Sequence, residues 1–152
     1  MSRLEPRDGG SHVHISGGGS SRALAAGTGD ATEVDGPWID RLGYDSCRVG
    51  VVGRATLTEA ATLTVAFNLQ DSIDSSGSDA ADFGDAYAAA TQATGGAGGS
   101  TEEIQAAASF NLRGAKRWIR LQHTPNLSAG ATDVSTLAGA VVLIGKVEEP
   151  VS

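Results

Sequence analysis

His12, His14 and His123 are the chain's only imidazoles, and two of them stand two residues apart in the stretch GGSHVHISGGGSSRA, residues 9–23. Three neutral imidazoles suffice for a zinc site with one open position, but here the segment around His12 and His14 has to fold back onto the strand that carries His123. The same spacing suits a strand edge or a solvated tail. The simpler reading makes His12 and His14 a short β-like patch laid on a neighbouring molecule, and His123 a hydrogen-bonded strand residue. Two glycine-rich stretches, GGGSSRA and GGAGGSTEE, raise phosphate binding. A P-loop requires a lysine that reaches the terminal phosphates and a hydroxyl that holds magnesium. Neither stretch has that lysine, and Glu102 and Glu103 stand where an anion would sit. Asp71, Asp74 and Gly77 miss the register of an EF-hand, so adventitious calcium or magnesium is the most that loop would hold. No serine occupies a G-x-S-x-G elbow, and no carboxylate pair is marked out for hydrolysis. The sequence therefore predicts no catalytic residue, no cofactor and no metal site, and hence no enzyme.

What remains is charge. The chain carries a net charge of −7, which argues against nucleic-acid binding, since phosphate neutralisation needs a basic surface. Yet Arg113, Lys116, Arg117 and Arg120 fall in a run with no acid, while Asp71, Asp74, Asp79, Asp82 and Asp85 fall in a run with no base. Opposite fields on one small subunit suit contact with copies of itself or with a charged neighbour. The four bases are candidates to meet an acidic partner surface, with Trp38 and Trp118 as packing anchors.

The elements that must hold these residues read as strands. In TLTVAFNLQ, residues 62–70, Leu63, Val65, Phe67 and Leu69 alternate with Thr64, Ala66, Asn68 and Gln70, which puts the large side chains on one face of a half-buried strand. Cys47, Val49 and Val51 alternate in the same way, and so do Ile119, Leu121 and His123, leaving Trp118, Arg120 and Gln122 on a wet or partner-facing side. VSTLAGAVVLIG, Val134 to Gly145, is an apolar run suited to a sandwich centre. Residues 71–85 read as a loop, as does PNLSAGATD. AYAAATQAT and TEEIQAAASFNL are ambiguous: Ser100 and Glu103 match a helical capping box, whereas the glycine-rich connector between them suits a long hairpin. Strands on both sides favour the hairpin.

Residues 1–34 show neither period and too few apolar side chains to offset their ordering entropy, so they are expected to form an extended arm that orders on a partner. Residues 35–152 are expected to form one domain. Aromatics are only 5% of the chain and glycines number 21, so its core is thin, and association of subunits is the default. The lone Cys47 excludes an intrachain disulfide and reads as a small buried hydrophobe. No window approaches the roughly 20 apolar residues of a membrane span, and MSRLEPRDGG lacks a signal peptide's apolar segment, so a reducing aqueous compartment is expected. About seven strands around one core predict an all-β protein, a β-sandwich of jelly-roll-like type with an extended N-terminal arm.

The segments DRLGYDSCRVGVVG and FNLRGAKRWIRLQHTPNLSAGATDVSTLAGAVVLIGKVEEP resemble a group of small structural proteins of tailed bacteriophages. The positions that carry the resemblance are Asp40, Arg41 and Tyr44, Leu112 to Arg120, Thr124 and Pro125, Thr132 and Asp133, and Val141 to Gly145 with Pro150. These motifs are structural, not catalytic. The resemblance implies a virion component of the capsid decoration, cement or head-spike type, multimeric, binding the major capsid protein lattice or a vertex. Such a protein is made in the cytoplasm of the bacterial host and ends on the capsid surface. The glycine-rich front arm and the GGAGGS insert depart from that pattern, so a head-to-tail or tail position stands as an alternative. A particle-displayed carbohydrate- or cell-surface-binding module is a second alternative.

Overall fold

A computed structural model describes residues 13–128 and 130–145. It contains nine strands: β1 (Val13–Leu24), β2 (Val34–Asp35), β3 (Ile39–Asp40), β4 (Tyr44–Leu57), β5 (Thr62–Ser72), β6 (Ala81–Thr94), β7 (Ser100–Asn111), β8 (Trp118–Leu127) and β9 (Val134–Gly145). Sheet I runs β1-β9-β4-β7, and sheet II runs β2-β8-β5-β6 with β3 also on β8. All pairings are antiparallel. β2 and β3 are one strand interrupted by Gly36, Pro37 and Trp38, because proline cannot donate to a ladder. Counted so, eight strands form two four-stranded sheets, and every connection except β5 to β6 crosses between them. That is the double Greek-key order of a jelly roll.

Period-two patterning builds the core. Leu63, Val65, Phe67 and Leu69 of β5 face Cys47, Val49 and Val51 of β4 and Leu137, Val141 and Leu143 of β9, all buried. At the open side Tyr87 stacks on Phe67, with ring centroids 4.2 Å apart and planes 7° from parallel. Such a pair contributes about 0.5–1.5 kcal/mol beyond the area it buries. Cys47 is a buried hydrophobe, as its alternation indicated, and burial pushes its thiol up to about 11.

Four expectations require correction. The arm does not reach residue 34: Val13–Leu24 forms β1, paired with β9 from Val13–Ile144 to Leu24–Val134. Residues 1–12 of the predicted arm, His12 among them, lie outside the described residues. The glycine triplet marks a bulge between Gly17 and Ser20, where β1 crosses close over sheet II. A Cβ on Gly18 would stand 2.5 Å from Leu121 Cδ2 and 2.9 Å from the carbonyl carbon of Gly139, so only glycine fits. Second, β6 and β7 are strands but not a hairpin: β6 pairs with β5 and β7 with β4. Third, strand structure trims both predicted loops, since β5 extends to Ser72, β6 begins at Ala81 and Pro125–Leu127 belongs to β8. Fourth, β9 buries one face only, with Val134, Thr136, Ala138 and Ile144 on the other.

Candidate partner-binding surface

The motif residues interlock at one end of the sandwich. The Arg41 guanidinium donates from Nε to the Lys116 carbonyl (2.8 Å), from Nη1 to the Tyr44 carbonyl (3.1 Å) and from Nη2 to the Ala115 carbonyl. Its own amide donates to the Arg117 carbonyl at 3.0 Å. A planar fork with five donors satisfies carbonyls that the turn before β8 leaves unpaired. Buried Asp71, at the end of β5, accepts from the Lys116 amide at 3.0 Å. Asp40 pairs with Arg117 through contacts of 2.7–3.2 Å. The hydrogen bonds from Arg117 and the Leu42 amide hold the Asp40 carboxyl below its usual range, and Asp40 in turn raises Arg117. The segments around residues 40–44 and 112–120 are thus a single latch.

Within the chain, three members of the basic run have acidic neighbours. Lys116 Nζ lies 2.8 Å from Asp79 and 3.5 Å from Asp71, and its pairing with Asp79 raises its pKa. The same hydrogen bond, with those from the Ile73 amide and the Ser72 hydroxyl, brings Asp79 down to about 2. Arg120 Nη1 is 2.8 Å from Asp35, its Nε and Nη2 donate to Gln70 Oε1, and its guanidinium stacks 4.7 Å from the centre of the Trp38 ring. Gly77, at φ +73°, packs against the same ring: a Cβ there would lie 2.6 Å from Trp38 Cζ2. Trp118 is half-buried beside Arg117, whose guanidinium lies 5.8 Å from its ring centre. Both tryptophans are therefore packed within the chain. Three of the four bases are compensated internally, and Arg113, exposed at the turn after β7, makes no ion pair among the described residues. Around it the same end exposes Leu42 and Ile73.

The two described histidines, His14 and His123, stand apart. His14 lies at the start of β1 beside Tyr44, with ring centroids 6.4 Å apart, in a shallow groove shared with Trp38 and Asp40. His123 is fully buried on β8, where its Nε2 lies 3.1 Å from Ser21 Oγ, the hydrogen-bonded strand role read from its sequence. Nδ1 has no hydrogen-bond partner among the described residues. Desolvation lowers the His123 pKa, with the Gly18 carbonyl pulling weakly the other way.

The aspartate loop folds on itself. Asp74 accepts from the Ser76 amide (2.9 Å), the Ser76 hydroxyl (2.7 Å) and the Ser78 hydroxyl, contacts that hold its carboxyl well below the ordinary range. No cluster of three or more His, Cys, Asp or Glu side chains among the described residues is arranged to hold a metal. At the opposite end, an open groove of about 630 Å³ runs between Thr56–Glu59 and Gly98–Thr101, with buried Asp133 at its floor. Asp133 Oδ1 accepts from the Thr58 amide at 2.8 Å, so the Thr132–Asp133 motif caps the turn after β4. Sequence reasoning missed Arg41, Asp71 and Asp133 as fasteners. Arg41 and Asp133 stand among the motif positions, which was their signal, whereas Asp71 lies in the aspartate run and carried none.

No protein-family model and no curated protein matches the chain. Among solved structures it is similar to that of the infectious bursal disease virus Gx strain, at 14% identity and a TM-score of 0.48, over 91% of this chain and 33% of that one. It is also similar to infectious bursal virus derived T=1 particles, at 14% identity and a TM-score of 0.47, over 88% of this chain and 31% of the other. A VP2 subviral particle of infectious bursal disease virus gives 12% identity and a TM-score of 0.46, over 88% and 32%. The chain thus spans about a third of the length of these structures.

Proposed function

We propose that this chain is a non-enzymatic structural subunit of a virus particle, binding the major capsid protein lattice or a vertex and associating with copies of itself. The observation that carries the reading is the topology: β1-β9-β4-β7 against β2/β3-β8-β5-β6 is the jelly-roll order, an architecture that capsid and lectin domains use. Because a fold alone does not specify function, the motif residues add a second support. Asp40, Arg41 and Leu112 to Arg120 carry the resemblance to tailed-phage structural proteins, and they fasten one rigid end of the sandwich rather than line a reaction cleft. At that end Arg113, Leu42 and Ile73 offer a cation and apolar side chains to an acidic, partly apolar lattice. Repetition over many symmetric sites turns modest contacts into firm attachment, which makes a shell harder to burst. Residues 1–12 act as the strap that the longer arm was expected to provide, and virion localisation follows.

The test mixes purified protein with shells that lack it and follows co-sedimentation. Wild type and a form lacking residues 1–12 are compared with Leu42→Glu and Ile73→Glu. Deletion stops at residue 12 because β1 begins at Val13. Binding that the two glutamates abolish and the deletion weakens is the expected result. Failure of the wild type to sediment with the shells refutes the reading.

A further inference from the structure

Asp133 is 1% exposed, yet only one of its carboxylate oxygens is used: Oδ1 accepts from the Thr58 amide at 2.8 Å, while Oδ2 has no partner among the described residues. Ser135 Oγ, at the next inward position along the chain, is also buried and unpartnered there. Neither Asp133 nor Glu59 joins an ion pair among the described residues, and no lysine, arginine or histidine lines the groove above Asp133. A buried carboxylate without a counter-charge is costly, so the fold leaves an acceptor that a cation in the groove would satisfy. Three loops meet here. The turn after β4 brings Thr58 and Glu59, the β6–β7 connection brings Gly98 and Gly99, and the β8–β9 connection brings Asp133. Glu59 Oε2 accepts from the Gly98 amide at 3.3 Å, which holds a second carboxylate between two of the loops. Two glycines in the left-handed region keep side chains off the oxygens. A Cβ on Gly130, at φ +92°, would stand 2.7 Å from Asp133 Oδ1 and 2.8 Å from Thr58 Oγ1, and one on Gly99, at φ +90°, would stand 3.0 Å from the Leu57 carbonyl oxygen.

We propose that this groove is a calcium site, with Asp133 and Glu59 as its carboxylates and hydroxyl, carbonyl and water oxygens completing the shell. Every polar side-chain atom on the lining is an oxygen, which selects a hard cation over zinc or copper with their preference for nitrogen and sulfur. Calcium fits better than magnesium, because oxygens of mixed kind from three loops give the irregular shell that calcium accepts, whereas magnesium demands a near-ideal octahedron. No third His, Cys, Asp or Glu completes a metal cluster with these two among the described residues. With so few charged ligands the affinity falls at the weak end of protein calcium sites, at a Kd of about 0.1–1 mM. The bound ion fastens the three loops at the end of the sandwich opposite the Arg41 latch, and because it binds the folded chain it adds to its stability.

The test needs no shells, so it stands or falls apart from the proposed function. Full-length chain freed of divalent ions with EDTA is titrated with calcium chloride by isothermal titration calorimetry. It is also melted in calcium chloride and in sodium chloride of equal ionic strength. Saturable binding of one ion per chain is expected, with a melting temperature higher by about 3–10 °C in about 10 mM calcium. Asp133→Asn, which keeps an oxygen for the Thr58 amide, should weaken binding at least about tenfold, and the exposed Glu59→Gln at least about threefold. Asp74→Asn, in the aspartate loop, should leave it unchanged. A wild type that binds no calcium overturns the proposal. So does binding that magnesium matches, that Asp133→Asn leaves intact, or that Asp74→Asn abolishes. Full affinity in Glu59→Gln overturns it too, whether or not Asp133→Asn folds.

Discussion

Ser21 on β1 and His123 on β8 share a hydrogen bond of 3.1 Å that joins edge strand β1 of sheet I to the middle of sheet II. Because burial lowers the His123 pKa from its ordinary 6.5, the folded chain resists a proton that the unfolded chain accepts. Its contribution to stability is complete above about pH 6.5 and declines as pH falls below that value. Asp40 and Asp79 act in a lower window: their carboxyls are depressed from 3.8, so their contribution is present above that value and is lost on further acidification, for Asp79 toward about 2. Thermal unfolding of the wild type should therefore weaken between about pH 7 and 5, and His123→Gln should flatten that slope even though its baseline stability is lower. Parallel slopes for the two proteins would show that the proton is taken up elsewhere.

Arg41 binds three carbonyls from two segments, and no shorter or non-planar cation reaches all of them. Arg41→Ala is expected to cost about 2–4 kcal/mol in urea unfolding, the loss of hydrogen bonds to a charged group plus orphaned carbonyls. Arg41→Lys should recover less than half of it. Full recovery by lysine would mean that charge alone, not the fork, fastens the latch.

At the bulge of β1, Gly18→Ala should destabilise the fold by about 1–3 kcal/mol through overpacking, since its methyl group meets Leu121 and the Gly139 backbone. Gly17, one residue before, has open space where a methyl group would stand and should accept alanine with little change. Comparing the two by thermal melts isolates the close crossing from any general effect of losing glycine in a strand.

Legibility in the sequence followed side-chain size. β5 alternates Leu63, Val65, Phe67 and Leu69 with smaller residues, and all four are buried as the pattern demands. β9 begins and ends at the residues its apolar run indicated. β1 was hidden because its buried positions include Gly18 and Ala23, too small to register as a period, while its strand geometry comes from backbone pairing with β9. β6 and β7 were recognisable as strands, but alternation says nothing about which strand is the neighbour, and the jelly-roll order sends them to different sheets. At the candidate site, the run of bases was plain and its neutralisation was not. Asp40 is 77 residues from Arg117, and Asp71 is 45 residues from Lys116, so only the folded topology brings them together.

That neutralisation separates Arg113 from the other bases. Arg117 has a bidentate partner in Asp40, and Lys116 and Arg120 have their own acids, so a foreign acidic surface gains little by competing for them. Arg113 is exposed and makes no ion pair among the described residues. In the shell co-sedimentation assay, Arg113→Glu should weaken binding by about tenfold at low salt, with the difference shrinking toward physiological ionic strength as screening sets in. Arg117→Gln should leave binding within about twofold, because most of its field is already cancelled by Asp40. If the two variants weaken attachment equally, the internal ion pairs open on the lattice, and the basic run acts as one patch after all.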